Sequence, residues 1–262
     1  MTDLEAWLTA LAGASYSPNT LRQRRFFLGH FLAAHPDPWA VTTDEVSAWL
    51  AADQRWTPAT RAAARGSLGS FYRWAMKTGR TERNPVKDTN APRVSRGVPR
   101  PAPERVLTAA LARATPRVRM MLLLAAYGGL RRAEVAALGV GDIDDPWLHV
   151  LGKGHKVRLV PIHPIVADEL EHYLPTVTGR WLFPAADGGH LSPDRVGALM
   201  SDALGPGWTA HTLRHRFGTR LYAGTHDVFQ AQTLLGHASA ATTQRYVAVP
   251  DEAMFAAVAA IP

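Results

Sequence analysis

The chain has 262 residues, of which 47% are hydrophobic and 19% charged, so it can bury one large core or two modest ones. It contains no cysteine, which excludes disulfides and thiolate metal sites, and no run of eighteen apolar residues, which argues against a membrane span. Residues 1–5 lack the features of a signal peptide, so we expect a soluble cytoplasmic protein without a membrane partner.

The formal net charge is +7, and it is distributed unevenly along the chain. Residues 55–100 contain eleven Lys or Arg and only two acidic residues, whereas from residue 104 onward fifteen basic residues face fourteen acidic ones. Such a local excess is typical of proteins that bind nucleic acid, although a solubilising surface is the alternative. We therefore predict a polyanionic partner for the N-terminal part.

The N-terminal part is predicted to be helical. Ser17-Pro18 and Thr57-Pro58 each place a capping residue before a proline at the first helical position, and a shorter helix begins at Thr43. The apolar residues that share one face of the two long helices are expected in the core: Leu21, Leu28, Phe31, Leu32, Leu68, Phe71, Tyr72 and Ala75. Four arginines fall largely off these faces and are predicted to reach a phosphate backbone: Arg22, Arg25, Arg61 and Arg65.

A linker is predicted after these helices. Residues 84–103 contain five prolines and little apolar patterning, which is typical of a connection between domains. Two of its arginines, Arg93 and Arg96, are also predicted to contact DNA. The sequence thus divides into a helical domain at residues 1–87, a basic, proline-rich linker at 88–103 and a second domain at 104–262.

The second domain is predicted to combine helices with a small hairpin. Helices are expected at 103–114 and 116–127, and another begins at 130, so Arg131 lies near an N-terminus whose free N–H groups favour anions. A surface arginine without such a role is the alternative. Strands at 147–151 and 156–161 flank Lys153, which is placed near the hairpin tip. The spacing of a Walker motif is missing, and nucleotide binding is not predicted.

A further helix is predicted to carry His211 and Arg214 on one face, where both can donate hydrogen bonds to a phosphate. A local structural role is the alternative for each histidine, and His215 is the one we expect to be structural. His211 and His215 also have the spacing of a zinc helix, but Thr212 stands where a metallopeptidase carries its glutamate. We therefore predict no metal site.

Two more polar residues follow this helix. Gly236 is expected to end the next helix and to expose His237 in a turn, and Ser239 is expected to cap a short helix that carries Tyr246. A tyrosine beside cations that hold a phosphate has an electrophile to attack.

These segments together resemble tyrosine recombinases of the phage integrase family. Five motifs stand in the family's order: Gly129-Leu130-Arg131-Arg132-Ala133-Glu134, Gly152-Lys153-Gly154-His155-Lys156-Val157-Arg158, His211-Thr212-Leu213-Arg214-His215, Leu235-Gly236-His237 and Thr242-Thr243-Gln244-Arg245-Tyr246. Gly128 replaces a common threonine. The resemblance implies a mainly α fold with a small β-sheet, in which an N-terminal helical, SAM-like core-binding domain precedes a mixed α/β catalytic domain. It is similar to a Xer-like minimal architecture without an arm-binding domain.

The resemblance also implies a mechanism in which Tyr246 is the nucleophile. The tyrosine would attack a DNA phosphodiester and form a 3′-phosphotyrosine and a free 5′-hydroxyl, which conserves the phosphoester bond and requires no cofactor. The remaining implied roles are transition-state neutralisation by Arg131 and Arg214, a hydrogen bond from His237, assistance to proton transfer by His211 and protonation of the 5′-oxygen by Lys153. Lys156 is the rival for the role of Lys153.

The implied partners are double-stranded core sites and three further copies of the chain, which would form a tetramer on a Holliday junction, and an accessory directionality factor is left open. The tail from residue 251 has apolar residues at near-helical spacing and suits docking on a neighbour or on its own domain. The prediction favours a phage or mobile-element integrase in a bacterial host. A type IB topoisomerase and a non-enzymatic DNA-binding protein are the alternatives.

Overall fold

The computed structural model describes residues 2–95, 100–152 and 156–236. The chain divides into two units, residues 1–96 and 97–262, and this boundary falls inside the segment for which a linker is predicted. Among the described residues, no helix is long and apolar enough to cross a membrane.

Four helices form the described part of the first unit, residues 2–95, and their first residues follow from the capping side chains: α1 (Asp3–Gly13), α2 (Pro18–Ala34), α3 (Thr43–Ala52) and α4 (Pro58–Lys77). Ser17 and Thr57 each accept a hydrogen bond from the backbone N–H three residues further on, as their position before a proline predicts. Thr42 and Glu45 form a capping box at the start of α3. Helix α1 is not among the predicted elements.

The core of the first unit is rich in aromatic side chains. The ring of Trp7 packs edge to face against Phe71, and the buried hydroxyl of Tyr72 donates to the carbonyl of Pro38 at 2.7 Å. Leu21 and Leu32 are half-buried at the edge of this core, and the other predicted core residues are buried. The period of the apolar residues therefore predicts the buried faces of α2 and α4 correctly.

The helices of the second unit pack around one central helix, α6, and those among the described residues are α5 (Glu104–Arg113), α6 (Pro116–Tyr127), α7 (Arg132–Ala136), α8 (Pro164–Tyr173), α9 (Pro193–Leu204), α10 (Ala210–Thr225) and α11 (Val228–Leu235). The predicted short helix that carries Tyr246 lies outside the described residues. Every side chain from Met120 to Ala126 in α6 is buried, because α8, α9 and α10 pack around it. This packing explains the apolar run in the sequence.

A small antiparallel sheet lies beside these helices. Its strands are β1 (Ile143–Asp144), β2 (Trp147–Leu151) and β3 (Val157–Pro161), in the order β1-β2-β3. The predicted hairpin is present with Leu151 opposite Val157, and β1 is an additional short strand that was not predicted. The mainly helical fold with a small sheet is confirmed.

Candidate active site

A tight turn places Arg131 at the start of α7. Gly129 has a φ of +65°, a conformation that favours glycine, and a Cβ there would collide with the ring of Phe217. Arg131 is the N-cap of α7, and its backbone N–H donates to Glu134 Oε2 at 2.8 Å. The arginine therefore lies at a helix N-terminus, where the sequence predicts it.

Glu134 is a buried carboxylate that gathers three arginine side chains. It is 5% exposed, and it accepts a hydrogen bond from Arg131 Nη1 at 2.7 Å. Arg158 donates to both of its oxygens, at 2.9 and 2.7 Å, in the bidentate geometry that suits a guanidinium. Arg214 Nη1 lies 3.8 Å from Oε2. Three cations share one anion, so the cluster carries an excess of positive charge and favours a further anion.

The charge of Glu134 depends on these arginines. Burial alone favours the neutral form of a carboxyl group, because the ion loses its hydration. Hydrogen bonds and charge from Arg158, together with hydrogen bonds from Arg131, outweigh burial and lower the pKa of Glu134 from its ordinary value of 4.5. The carboxylate is therefore ionised at neutral pH and holds the guanidinium groups in place.

The same three arginines also hold the end of α11. Three consecutive backbone carbonyls each accept from a different arginine: Leu234 from Arg158 Nε at 3.0 Å, Leu235 from Arg214 Nη2, and Gly236 from Arg131 Nη2 at 3.3 Å. Carbonyls at a helix C-terminus carry partial negative charge, which makes cations favourable there. Gly236 ends α11 in the left-handed conformation, as predicted, and a Cβ at this position would lie only 3.0 Å from Arg158 Cδ.

Arg214 is the most deeply buried of the three arginines. Its side chain is 3% exposed on α10, and its guanidinium also donates to the carbonyl of Gly129. Arg214 therefore connects α10 to the turn before α7 and to the end of α11. The structure thereby brings together the two predicted arginines, Arg131 and Arg214, on either side of Glu134.

His211 and His215 form a pair on the first turns of α10. Their Nε2 atoms are 2.8 Å apart, and Nδ1 of His215 accepts from the backbone N–H of Arg100 at 3.1 Å. His211 is exposed, whereas His215 is half-buried. Within the described residues, no group of three or more His, Cys, Asp or Glu side chains could hold a metal ion.

Four predicted site residues lie outside the described residues: Lys153, His237, Tyr246 and Arg96. The structure describes the residues that directly precede Lys153 and His237. The backbone N–H of Gly152 donates to the carbonyl of Lys156 at 2.8 Å, which closes the hairpin below its tip. Gly236, which precedes His237, is the residue whose carbonyl contacts Arg131. Where the four side chains lie stays a prediction.

The predicted DNA-contacting arginines of the first unit differ in their surroundings. Arg22 and Arg93 are exposed, and Arg25 forms an exposed ion pair with an acidic residue of α1. Arg61 donates to a backbone carbonyl at 3.3 Å and lines the same surface cavity as Arg93. Arg65 donates to a hydroxyl and a carbonyl of the chain after α4, at 2.7 and 2.8 Å, and so braces that segment. Contact of these arginines with DNA stays a prediction.

Sequence reasoning assigned no role to Glu134 or Arg158. A signal for Glu134 exists, because an acidic residue at the third helical position can accept from the N-cap N–H, here that of Arg131. Arg158 belongs to the hairpin motif but has no comparable local signal for its contacts, because its partners lie 24 and 76 positions away. Only the fold brings these groups together.

Replacing Arg158 by Lys is expected to lower the free energy of unfolding by about 1–3 kcal/mol. An ammonium group cannot bind both oxygens of Glu134 and the carbonyl of Leu234 with the planar geometry that Arg158 uses. Chemical unfolding of the purified variant measures the loss.

Arg132→Lys is the matched control, since Arg132 is 56% exposed and lies 3.4 Å from an exposed carboxylate. We expect this control to stay within about 1 kcal/mol of the parent protein. Equal losses in the two variants would contradict the bracing role of Arg158.

Comparisons with known proteins agree on one family. Residues 103–253 match the sequence profile of the Phage integrase family. The chain is 36% identical to tyrosine recombinase XerC of Rhodospirillum centenum, over 94% of this chain and 81% of that protein, and 36% identical to XerD of Caulobacter vibrioides, over 75% and 72%. A lambda integrase tetramer bound to a Holliday junction has a similar fold, with a TM-score of 0.74, 23% identity and coverage of 90% of this chain and 76% of that one.

Proposed function

The chain belongs to the phage integrase family and is a tyrosine site-specific recombinase, and from this premise we propose that Tyr246 cuts and rejoins DNA through a 3′-phosphotyrosine intermediate. The observation that carries the proposal is the convergence of Arg131, Arg158 and Arg214 on Glu134. A preorganised cluster with excess positive charge stabilises the negative charge that develops on a phosphate under attack. Arg131 and Arg214 are the groups we assign to that task.

The phenol of Tyr246 loses its proton as its oxygen bonds to phosphorus and the 5′-oxygen leaves. A free tyrosine has a pKa of about 10, so a neighbouring cationic cluster assists by favouring phenolate. His237 and His211 each add a hydrogen bond to the phosphate, and the proton of the phenol passes to a water molecule. Rejoining reverses the step with the 5′-hydroxyl of another strand.

Lys153 is proposed as the acid that protonates the departing 5′-oxygen. Lys153→Ala is expected to slow cleavage about 100-fold or more, because the alkoxide would leave without a proton. A substrate with a sulfur atom at the bridging 5′ position carries a better leaving group and should restore most of the rate.

Lys156→Ala is the control for this experiment, because Lys156 lies on the same hairpin and is exposed. It should cleave both substrates at close to the parental rate. If Lys153→Ala is equally slow on both substrates, or if sulfur rescues Lys156→Ala instead, Lys153 is not the acid.

We further propose that the chain acts on double-stranded core sites as a tetramer, with residues 1–87 as a helical DNA-binding domain, 88–103 as a linker and 104–262 as the catalytic domain. The lambda integrase tetramer on a Holliday junction supports this arrangement by similarity of fold. This arrangement is compatible with an accessory protein that controls the direction of recombination. It is also compatible with a C-terminal tail, from residue 251, that docks on its own domain or on a neighbouring copy.

The biological task of the recombinase is a separate part of the proposal. A phage or mobile-element integrase joins two different sites, whereas a resolvase joins two copies of one site. The relatives named XerC and XerD do not support the phage assignment in particular. Integration of a mobile element into a bacterial chromosome is the task that we put to the test.

A plasmid assay with two candidate sites from the DNA around the gene tests the function. Recombinant product in the presence of EDTA is the expected result, and product from different sites rather than identical ones identifies an integrase. Relaxation of supercoils at many sequences without recombinants would indicate a topoisomerase, and loss of activity in EDTA would revive the metal hypothesis.

A further inference from the structure

The hydrogen bonds of His211 and His215 on α10 show which ring nitrogen of each imidazole carries the proton. A neutral imidazole has one N–H and one acceptor nitrogen. The backbone N–H of Arg100 donates to Nδ1 of His215 at 3.1 Å, so this nitrogen is the acceptor and the proton of His215 is on Nε2. That Nε2–H points at Nε2 of His211, 2.8 Å away. Nε2 of His211 is therefore an acceptor, and the proton of His211 is on Nδ1.

We infer that His215 is a positioning residue that fixes His211 as the Nδ1–H tautomer, so that His211 meets the phosphate as a hydrogen-bond donor. The inference rests on the proposed function, because it concerns a residue assigned to the reacting phosphate. It narrows the role of His211: while His215 donates to Nε2, that nitrogen cannot accept the proton of the tyrosine. His211 contributes an N–H to a phosphate oxygen and is not the base.

The first donor in this chain of hydrogen bonds, the backbone N–H of Arg100, is held in position by neighbouring contacts. The backbone N–H of Ala102 donates to the carbonyl of Thr212 at 3.1 Å, so the segment beginning at Arg100 runs along the first turns of α10. The guanidinium of Arg100 stacks on the ring of Trp208 at 4.6 Å, and Trp208 packs against the core of the second unit. The tautomer of His211 is thus set by the backbone of the predicted linker.

Nitrogen-15 NMR of the imidazole rings tests the tautomer directly, without DNA. The spectrum is recorded at about pH 8, where an ordinary imidazole is neutral, and the signals of His211 are assigned by their loss in His211→Asn. We expect the pattern of an Nδ1–H tautomer for His211. An Nε2–H pattern in the parent protein would overturn the inference.

Two substitutions of His215 separate its two contacts. The amide nitrogen of Gln occupies a place close to that of Nε2 and can still donate to His211, whereas the shorter Asn reaches only toward the backbone of Arg100. We expect His215→Gln to keep the Nδ1–H tautomer and most of the cleavage rate. His215→Asn should give a mixture of tautomers and slow cleavage about 10- to 100-fold, which is the size of effect seen for groups that orient metal-binding histidines. Thermal melts show whether both variants fold.

A second pair of variants removes the first donor. Arg100→Pro deletes the backbone N–H at a position that already precedes a proline and is therefore extended, and Arg100→Ala deletes the guanidinium but keeps the N–H. We expect mixed tautomers of His211 only in Arg100→Pro.

These experiments distinguish failure of the inference about His215 from failure of the proposed function. Nδ1–H in every variant would overturn the role of His215. A changed tautomer with an unchanged cleavage rate would overturn its link to catalysis. A parent protein that shows the Nδ1–H tautomer and cuts no DNA would contradict the proposed function alone.

Discussion

Glu134→Ala is expected to destabilise the protein by about 3–5 kcal/mol, because it leaves buried guanidinium groups without their shared anion. Arg158 and Arg214 are 12% and 3% exposed, so water cannot replace the carboxylate fully. Glu134→Gln keeps the shape and some hydrogen bonds but loses the charge, and it should lie between the parent protein and the alanine variant. Urea unfolding of the three proteins measures the differences.

Asp194→Ala is the control for this series. Asp194 also faces an arginine of α7, but its side chain is 73% exposed, and such pairs contribute about 0–1 kcal/mol. A loss in Glu134→Ala no larger than in Asp194→Ala would show that the buried carboxylate does not organise the cluster.

The contribution of Glu134 also depends on pH in a defined direction. Its folded-state pKa is lowered from 4.5, so its stabilising effect is fully present above that value and is lost as the pH falls through the lower, folded pKa. The difference in unfolding free energy between the parent protein and Glu134→Gln should therefore be large at about pH 7 and should shrink as the pH falls below the ordinary value of 4.5. A difference that grows as the pH falls would contradict this assignment.

Tyr246→Phe is expected to abolish the covalent protein–DNA adduct. The phenol oxygen is the atom that bonds to phosphorus in the proposed reaction, and phenylalanine keeps the ring without that oxygen. The adduct is measured on gels with a nicked substrate whose cut strand diffuses away, so that rejoining does not erase it. DNA binding should be preserved in this variant.

Tyr222→Phe is the matched control. Tyr222 is half-buried on α10, eight positions after Arg214, and its ring packs at 5.9 Å from that of His226. This variant should form the adduct at close to the parental level. An adduct in Tyr246→Phe together with its loss in Tyr222→Phe would transfer the role of nucleophile to Tyr222.

Local features of the fold follow from the sequence because they depend on neighbouring residues. Ser17 and Thr57 fix the starts of two helices, and Gly236 ends a third, through contacts within a few positions. Ser192 before Pro193 carries the same signal for α9, a helix that is not among the predicted elements.

The candidate site follows from the sequence only in part. The order of the motifs predicts that Arg131 and Arg214 belong to the same site. The sequence does not show that the carboxylate of Glu134 binds the two arginines together. Buried ion pairs join residues that packing brings together, and the spacing along the chain says nothing about them. Arg158 is the clearest example, since a strand residue with an ordinary surface pattern turns out to bind both oxygens of Glu134.

The backbone carbonyls at the end of α11 accept hydrogen bonds from the same arginines that form the cluster around Glu134. Each N–H that holds residues 234–236 is one that a phosphate oxygen cannot take at the same moment. If Arg131 and Arg214 bind phosphate as proposed, DNA affinity and the docking of α11 are linked equilibria, and the factor by which each alters the other is the same in both directions. The segment from residue 237, which leads to Tyr246, starts at this junction. If Tyr246 is the nucleophile, as proposed, binding of DNA is then linked through Arg131 and Arg214 to the end of α11, from which the chain continues toward Tyr246.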